Sequence, residues 1–193
     1  LAPTELVGRF LDRWRERTGQ TAHLEAAERI FQLERVIPPA RPASGRWRLA
    51  EPRDRQLVAG WIIAFSAEAL PEQPLPDDPL AFADRWIARI NRRLYLWEDE
   101  GRIVSLVGAG GETPNGIRIG PVYTPPEARG RGYASALTAA ASQDQLDRGR
   151  RFCFLFTDLA NPTSNAIYQA IGYEPVCDMD QYRFDRGRPV SVE

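Results

Sequence analysis

Two stretches of this chain combine residue types that could hold a phosphate-bearing ligand. The first is Val122-Tyr-Thr-Pro-Pro-Glu-Ala-Arg-Gly-Arg-Gly-Tyr-Ala134. A strand ends, a proline-rich turn follows, and Gly130 and Gly132 open a helix that continues through Leu137, Ala140 and Ala141. A helix start leaves about four N–H groups without partners and carries about half a positive charge. Glycines let a ligand come close to that backbone, and Arg129 and Arg131 add cationic side chains beside it. Taken alone, the stretch also reads as a plain strand-to-helix turn. It is not the dinucleotide fingerprint, because Gly130, Gly132 and Ser135 do not reproduce Gly-x-Gly-x-x-Gly.

The second stretch is Asn161-Pro-Thr-Ser-Asn-Ala-Ile-Tyr-Gln-Ala-Ile-Gly-Tyr173. Asn161 suits a helix N-cap, Pro162 the first helical position and Gly172 the C-terminal stop. Ile167, Ala170 and Ile171 are expected as the core stripe. Asn161, Asn165 and Tyr168 fall on another, polar face, which a solvated helix would also show.

Together, Arg-Gly-x-Gly-x-Ala followed after about 26 residues by Asn-Pro-x-Ser-Asn-x-x-Tyr-x-x-x-Gly-Tyr resembles the GNAT superfamily of N-acetyltransferases. The likeness is strongest over 105–184 and is similar to bacterial acetyltransferases whose catalytic part is C-terminal. It implies acetyl-CoA as co-substrate, with the pyrophosphate on the amides of Arg129, Gly130, Arg131, Gly132, Tyr133 and Ala134. It implies that Val122, Tyr123 and Thr124 pair their backbone with the pantetheine arm, with further cofactor contacts from Asn161, Ser164, Asn165 and Tyr168. The family's sheet has two diverging central strands, and Gly120-Pro121 is where the ladder should break, since Pro lacks the N–H.

The chemistry implied is direct attack of a neutral amine on the thioester. A backbone N–H of Val122 or Tyr123 would stabilise the oxygen's growing charge, and Tyr168 would donate a proton to the departing thiolate. The base is the open element. No Asp or Glu lies within 116–124, so Asp158 is the candidate, with a loop-capping role as its other reading. Glu68, Glu72, Asp77 and Asp78 stand where the family places its variable acceptor lid. Trp61, Trp86 and Trp97 are expected near that acceptor half, which would suit a cationic or aromatic amine. A non-catalytic module that holds acyl-CoA is the alternative function.

Composition removes other chemistries. All 25 basic residues are Arg, which excludes a Walker A lysine, a pyridoxal Schiff base and a lysine nucleophile. The single His23, without a Gly-x-Ser-x-Gly elbow, argues against a serine triad. Cys153 and Cys177 are too few for a disulfide framework or a zinc site and read as buried small hydrophobes. A net charge of -1 and 43% hydrophobic residues describe a globular protein without a field for nucleic acid. No apolar run spans a membrane and no signal peptide is evident, so the expectation is a cytoplasmic protein, with the natural chain free to begin before Leu1. The partner expected is a small-molecule or peptide amine; an oligomer is left open.

The elements that must position these residues follow from periodicity. Residues 5–19 predict an amphipathic helix with Leu6, Phe10, Leu11 and Trp14 on one stripe. A strand is expected over 29–36, then a linker in PPARPASG (38–45). The chain is thus divided into an N-terminal extension (1–44) and an acetyltransferase domain (45–187). Beyond the linker a strand at 46–49 and a helix over 54–70 with Leu57, Trp61, Ile62 and Phe65 inward are expected, then a helix at 79–91 built on Phe82, Trp86, Ile87 and Ile90. A hairpin follows at 93–99 and 102–108, turned at Glu100-Gly101. A strand at 116–124, a helix at 131–148, a strand at 152–158, a helix at 162–171 and closing strands at 175–184 complete an α/β (α+β) fold. Its sheet is mixed, mostly antiparallel and six- to seven-stranded, with helices on both faces.

Overall fold

The computed structural model describes residues 1–69, 74–88 and 91–185. Leu70, Glu72, Ile90 and residues 186–187, all named in the expectations above, lie outside them. Among the described residues eight strands form one sheet: β1 (Ala2–Pro3), β2 (Ala22–Leu33), β3 (Arg46–Leu49), β4 (Arg92–Asp99), β5 (Arg102–Gly110), β6 (Gly116–Tyr123), β7 (Phe152–Asp158) and β8 (Glu174–Phe184). The helices are α1 (Thr4–Thr18), α2 (Arg55–Ala69), α3 (Pro79–Ile87), α4 (Tyr133–Asp147) and α5 (Pro162–Ala170). The strand order is β1-β8-β2-β7-β6-β5-β4-β3, one more strand than expected because Ala2–Pro3 adds an edge. Among the described residues only β6 and β7 run parallel.

β4 explains how the sheet holds a layer on each face. Leu94, Tyr95, Leu96 and Trp97 are all buried, which a strand can satisfy only when both faces are covered. Leu94 and Leu96 join Val58, Ala59, Ile62, Ala83 and Trp86 beneath α2 and α3. Tyr95 and Trp97 join Leu137, Ala141, Ile171 and Tyr173 beneath α4 and α5. Burying one such side chain contributes about 1.5–3 kcal/mol, so this single strand anchors both layers. Glu100 and Gly101, with φ of 47° and 75°, make the two-residue turn that matches strand twist and leads into β5.

Several expectations shift on contact with neighbours. β2 is a 12-residue strand that begins at Ala22 and stops at Leu33, so the strand expected over 29–36 was placed too late. It pairs antiparallel with both β7 and β8, and backbone pairing on two edges extends a strand beyond what its side-chain pattern signals. The boundary expected at residue 45 therefore runs between two strands of one sheet. On α1, Val7 is buried while Leu6 and Phe10 are exposed, because the helix packs mainly on the β1/β8 edge; Trp14 and Phe10 close on the Phe184 ring. On α2 the fully inward residues are Val58, Ala59 and Ile62, about one position round from the expected stripe.

The feature that shapes the centre is a bulge in β6. Val107 pairs with Val122 and Ala109 with Ile119, so β6 carries one residue more than β5 around Gly120-Pro121. Gly108 lies opposite. A Cβ there would stand 2.6 Å from the Gly120 carbonyl oxygen, 2.8 Å from the Trp86 ring and 2.9 Å from Pro121 Cδ. Only glycine lets the bulge and the indole close on β5. Gly108→Ala is expected to lower unfolding free energy by about 1–3 kcal/mol, the usual cost of overpacking, measurable as an earlier urea midpoint with an unchanged slope.

Candidate active site

β6 keeps β5 on one side from Arg118 to Tyr123, but its parallel register with β7 stops at Arg118↔Phe154. From Ile119 to Tyr123 its other edge has no strand partner among the described residues, so the backbone groups that point that way face the gap where β6 and β7 part. An unpaired strand edge is a template for an extended ligand bearing amides.

The opening leads into the glycine loop. A single 3-10 turn, Pro126–Ala128, brings the chain round to Arg129, then Gly130 at φ 76° and Gly132 at φ 81°. Gly132 is the N-cap of α4 and supplies no side-chain cap, and the first intrahelical bond runs from Ala136 N–H to the Gly132 carbonyl at 2.9 Å. The N–H groups of Tyr133, Ala134 and Ser135 precede that bond and have no backbone partner among the described residues. No atom lies within 4 Å of where a Cβ on Gly130 or Gly132 would stand, so the space before the loop is open.

The loop is held from behind. The Tyr133 ring is buried and its hydroxyl donates to Asp99 at 2.5 Å, with Ser44 donating to the same carboxylate at 3.0 Å. Farther along α4, Asp144 accepts from the buried Tyr95 hydroxyl at 2.5 Å, and the Gln145 amide donates to the same phenol oxygen at 2.6 Å. Burial and that carboxylate push the Tyr95 phenol far up, so it stays a donor. Tyr133, expected to serve the ligand, thus offers its backbone while its side chain anchors the helix to β4.

α5 supplies the opposite wall. Asn161 caps it, accepting from Ser164 N–H at 3.0 Å, so its side chain is used locally. Asn165 donates weakly to the Asp158 carbonyl at 3.5 Å, while its Oδ1 is fully buried without a partner. A buried acceptor left unpaired costs about 1–3 kcal/mol, so it fits a ligand N–H. Tyr168 corrects the helical pattern. It was expected on a polar face, but it packs inward edge-on to Tyr173, and Ala170 turns outward instead. Val122, Ala128, Tyr133 and Tyr168 meet in or against one core cluster, so the three segments converge. The Tyr168 hydroxyl has no hydrogen-bond partner among the described residues, and burial pushes it up to about 12, keeping it neutral and able to donate.

Other expected residues take structural roles. Asp158 is exposed and accepts from Ala160 N–H at 2.7 Å, which is the loop cap. Asp78 caps α3 through Ala81 N–H at 2.9 Å. Glu68 bonds Arg129 Nη2 at 2.6 Å, and that Arg also donates from Nε to the Thr124 carbonyl at 2.8 Å. Arg131 is exposed. Trp61 lies by Tyr123, with ring centroids 5.8 Å apart, and Trp86 is buried on α3 in the core cluster with Leu94 and Leu96. Trp97 does not join them. It faces the other side of β4 and donates to the Ser44 carbonyl at 2.7 Å. Cys153 is buried, which pushes its thiol up to about 12, so it is no nucleophile. Sequence reasoning missed Ser105, fully buried on β5, whose hydroxyl donates to the Tyr123 carbonyl at 3.2 Å and shares a 2.8 Å bond with Thr124 Oγ1.

The Acetyltransferase (GNAT) family model matches residues 57–173, more than half of the chain and the whole of this site. The chain belongs to the GNAT acetyltransferase family. No curated protein sequence matches it significantly. Among solved structures it is similar to a GCN5-related N-acetyltransferase from Kribbella flavida, at 17% identity and a TM-score of 0.66, covering 97% of this chain and 66% of that one. A GCN5-related N-acetyltransferase from Sphaerobacter thermophilus gives 19% identity and a TM-score of 0.67, covering 94% and 57%. This chain thus spans less than two thirds of either relative's length. AAC(6')-Iy, solved with the bisubstrate analogue CoA-S-monomethyl-acetylneamine, gives 19% identity and a TM-score of 0.56, covering 67% and 90%. At these identities the likeness establishes the GNAT fold.

The Tyr168 environment has a measurable consequence. Its phenol is pushed up to about 12 in the folded protein from an ordinary value near 10.0, so folding favours the protonated form. The associated stability is fully present below pH 10 and is lost as pH rises through 12, at up to about 1.4 kcal/mol per pH unit. Between pH 9.5 and 11.5 the parent is expected to lose stability more steeply than Tyr168→Phe, as read by urea unfolding of both proteins.

Proposed function

We propose that this chain transfers an acetyl group from acetyl-CoA to a primary amine by direct attack within a ternary complex. The observation that carries the reading is the opening between β6 and β7, which runs from an unpaired strand edge to the uncapped start of α4. A pantetheine arm carries amides suited to the first, and a pyrophosphate carries charge suited to the second. The unpartnered Asn165 Oδ1 would accept a pantetheine N–H. AAC(6')-Iy, similar in fold, binds an analogue joining coenzyme A to an acetylated amine, which supports the same substrate pairing here.

Within that reading the chain's own groups have defined tasks. Amides of 130–135 hold the pyrophosphate, the Arg129 N–H expected among them being taken by the Pro126 carbonyl at 3.3 Å. The edge of 122–124 aligns the arm, and the Val122 or Tyr123 N–H stabilises charge on the carbonyl oxygen where water is excluded. Bringing two substrates together supplies much of the rate. Tyr168, neutral and without a competing partner, donates to the leaving thiolate. The exposed carboxylate of Asp158 or a water takes the amine proton. One observation favours the alternative, a module that holds acyl-CoA without transferring it: β6 carries no Asp or Glu.

Three measurements test this. Millimolar acetyl-CoA is expected to raise the melting temperature, since it binds only the folded state; no shift with acetyl-CoA or 3′-phospho-ADP sinks the assignment. Gly132→Val forces a β-branched residue into a left-handed conformation costing about 1–3 kcal/mol and blocks the open side of the loop. Coenzyme A affinity by calorimetry is expected to fall much further than stability does. Tyr168→Phe is expected to lower turnover on a panel of amines by about 10²–10⁴-fold with little change in cofactor affinity. Equal turnover would remove Tyr168 as the acid, and absence of turnover in the parent would favour the holding module.

A further inference from the structure

Arg129 stands at the start of the glycine loop, yet it does not face the loop as a free cation. Its Nε and Nη2 are both engaged, by the Thr124 carbonyl at 2.8 Å and by Glu68 Oε2 at 2.6 Å. Glu68 comes from the last turn of α2, 61 positions earlier in the chain. The Thr124 end is itself fixed, because its hydroxyl is bonded to Ser105 Oγ at 2.8 Å and Ser105 is fully buried. Tyr123, next along β6, is nearly buried, and together with that burial the Glu68 carboxylate pushes its phenol up. Arg131, two residues on, is exposed and has no ion-pair partner among the described residues.

We propose that Arg129 is a positioning residue: with Glu68 and the Thr124 carbonyl it forms a strut that fixes the mouth of the glycine loop to the end of α2, while Arg131 is the cation offered to phosphate. A guanidinium presents its donors in a rigid planar fork, so two acceptors on different elements are held at a set separation. The strut joins the helix beside the expected acceptor side to the loop on the donor side. The identity of the loop's ligand rests on the coenzyme A reading above; the strut is a property of the free protein.

The sign of one substitution separates the two roles. If Arg129 were a phosphate ligand, Glu68 would compete for it, and Glu68→Gln would release the guanidinium and tighten coenzyme A binding. As a strut, Glu68→Gln leaves the loop mouth untethered and weakens binding. Coenzyme A is titrated by calorimetry against the parent, Glu68→Gln, Arg129→Gln, the double variant and Arg131→Gln, at about 0.15 M salt, where the distant field of one carboxylate is screened, and again at higher salt. Hydrogen exchange of amides 124–135 is followed in the same proteins without ligand.

Glu68→Gln and Arg129→Gln are each expected to weaken binding about 3–10-fold and to speed exchange several-fold. The double variant should do no more than either, because both break one connection. Arg131→Gln is expected to weaken binding and flatten its salt dependence while leaving exchange unchanged. Tighter binding in Glu68→Gln, a flattened salt dependence in Arg129→Gln, or unchanged exchange in both overturns the strut. If the parent binds no coenzyme A, the acyltransferase reading fails, and the strut stands or falls on the exchange result alone.

Discussion

Proline has no N–H to give to a ladder, and β6 places one at position 121 in the middle of the sheet. A central strand rarely carries such a residue. Here the bulge around Gly120-Pro121 gives β6 an extra residue against β5, and the β6–β7 pairing has already ended at Arg118↔Phe154. The rest of the molecule is arranged around the resulting gap. Gly108 and Trp86 close one side of the bulge, and the turn into α4 starts where β6 ends.

A gap in a sheet is useful only if its walls are fixed, and the fixing groups are buried polar side chains. Tyr95 with Asp144 and Gln145, Tyr133 with Asp99, and Tyr173 with Ser142 at 2.8 Å each tie α4 to the core or to β4 by a hydrogen bond that is costly to leave unmade. The phenols of Tyr95 and Tyr173 are pushed far up by burial, so both remain protonated donors at neutral pH. Support from behind holds the first turn of α4, with its unbonded N–H groups, in place beside the glycine loop.

The glycine loop, Asn161 as a helix cap and the break at Pro121 were legible because each depends on local chemistry: φ above zero, a short side-chain acceptor, a missing donor. The paired motifs also pointed to the family. The burial of Tyr168 was not legible. A polar residue at helical spacing from two Asn reads as surface, and only the packing of α5 against Tyr173 turns it inward. The partners of Arg129 were hidden in the same way. Its type and position suit phosphate, but its partner lies far away in α2, and no local pattern reports a contact across that separation. Trp97 shows the limit for the acceptor side, since its alternation with Leu94 and Leu96 needed the β4 register before a face could be assigned.

The place of β2 bears on how the protein is made. Residues 22–33 lie between β7 and β8, so this early segment has no sheet neighbour until Phe152–Asp158 and then Glu174–Phe184 have been synthesised. Pairing across so many intervening residues is slow, because loop closure must precede any gain from contact. On the ribosome β2 is therefore an unpaired strand with both edges open while the hairpin of β4 and β5 can already form. Unpaired segments of this kind are open to aggregation, and pairing with β7 and β8 covers both edges of β2.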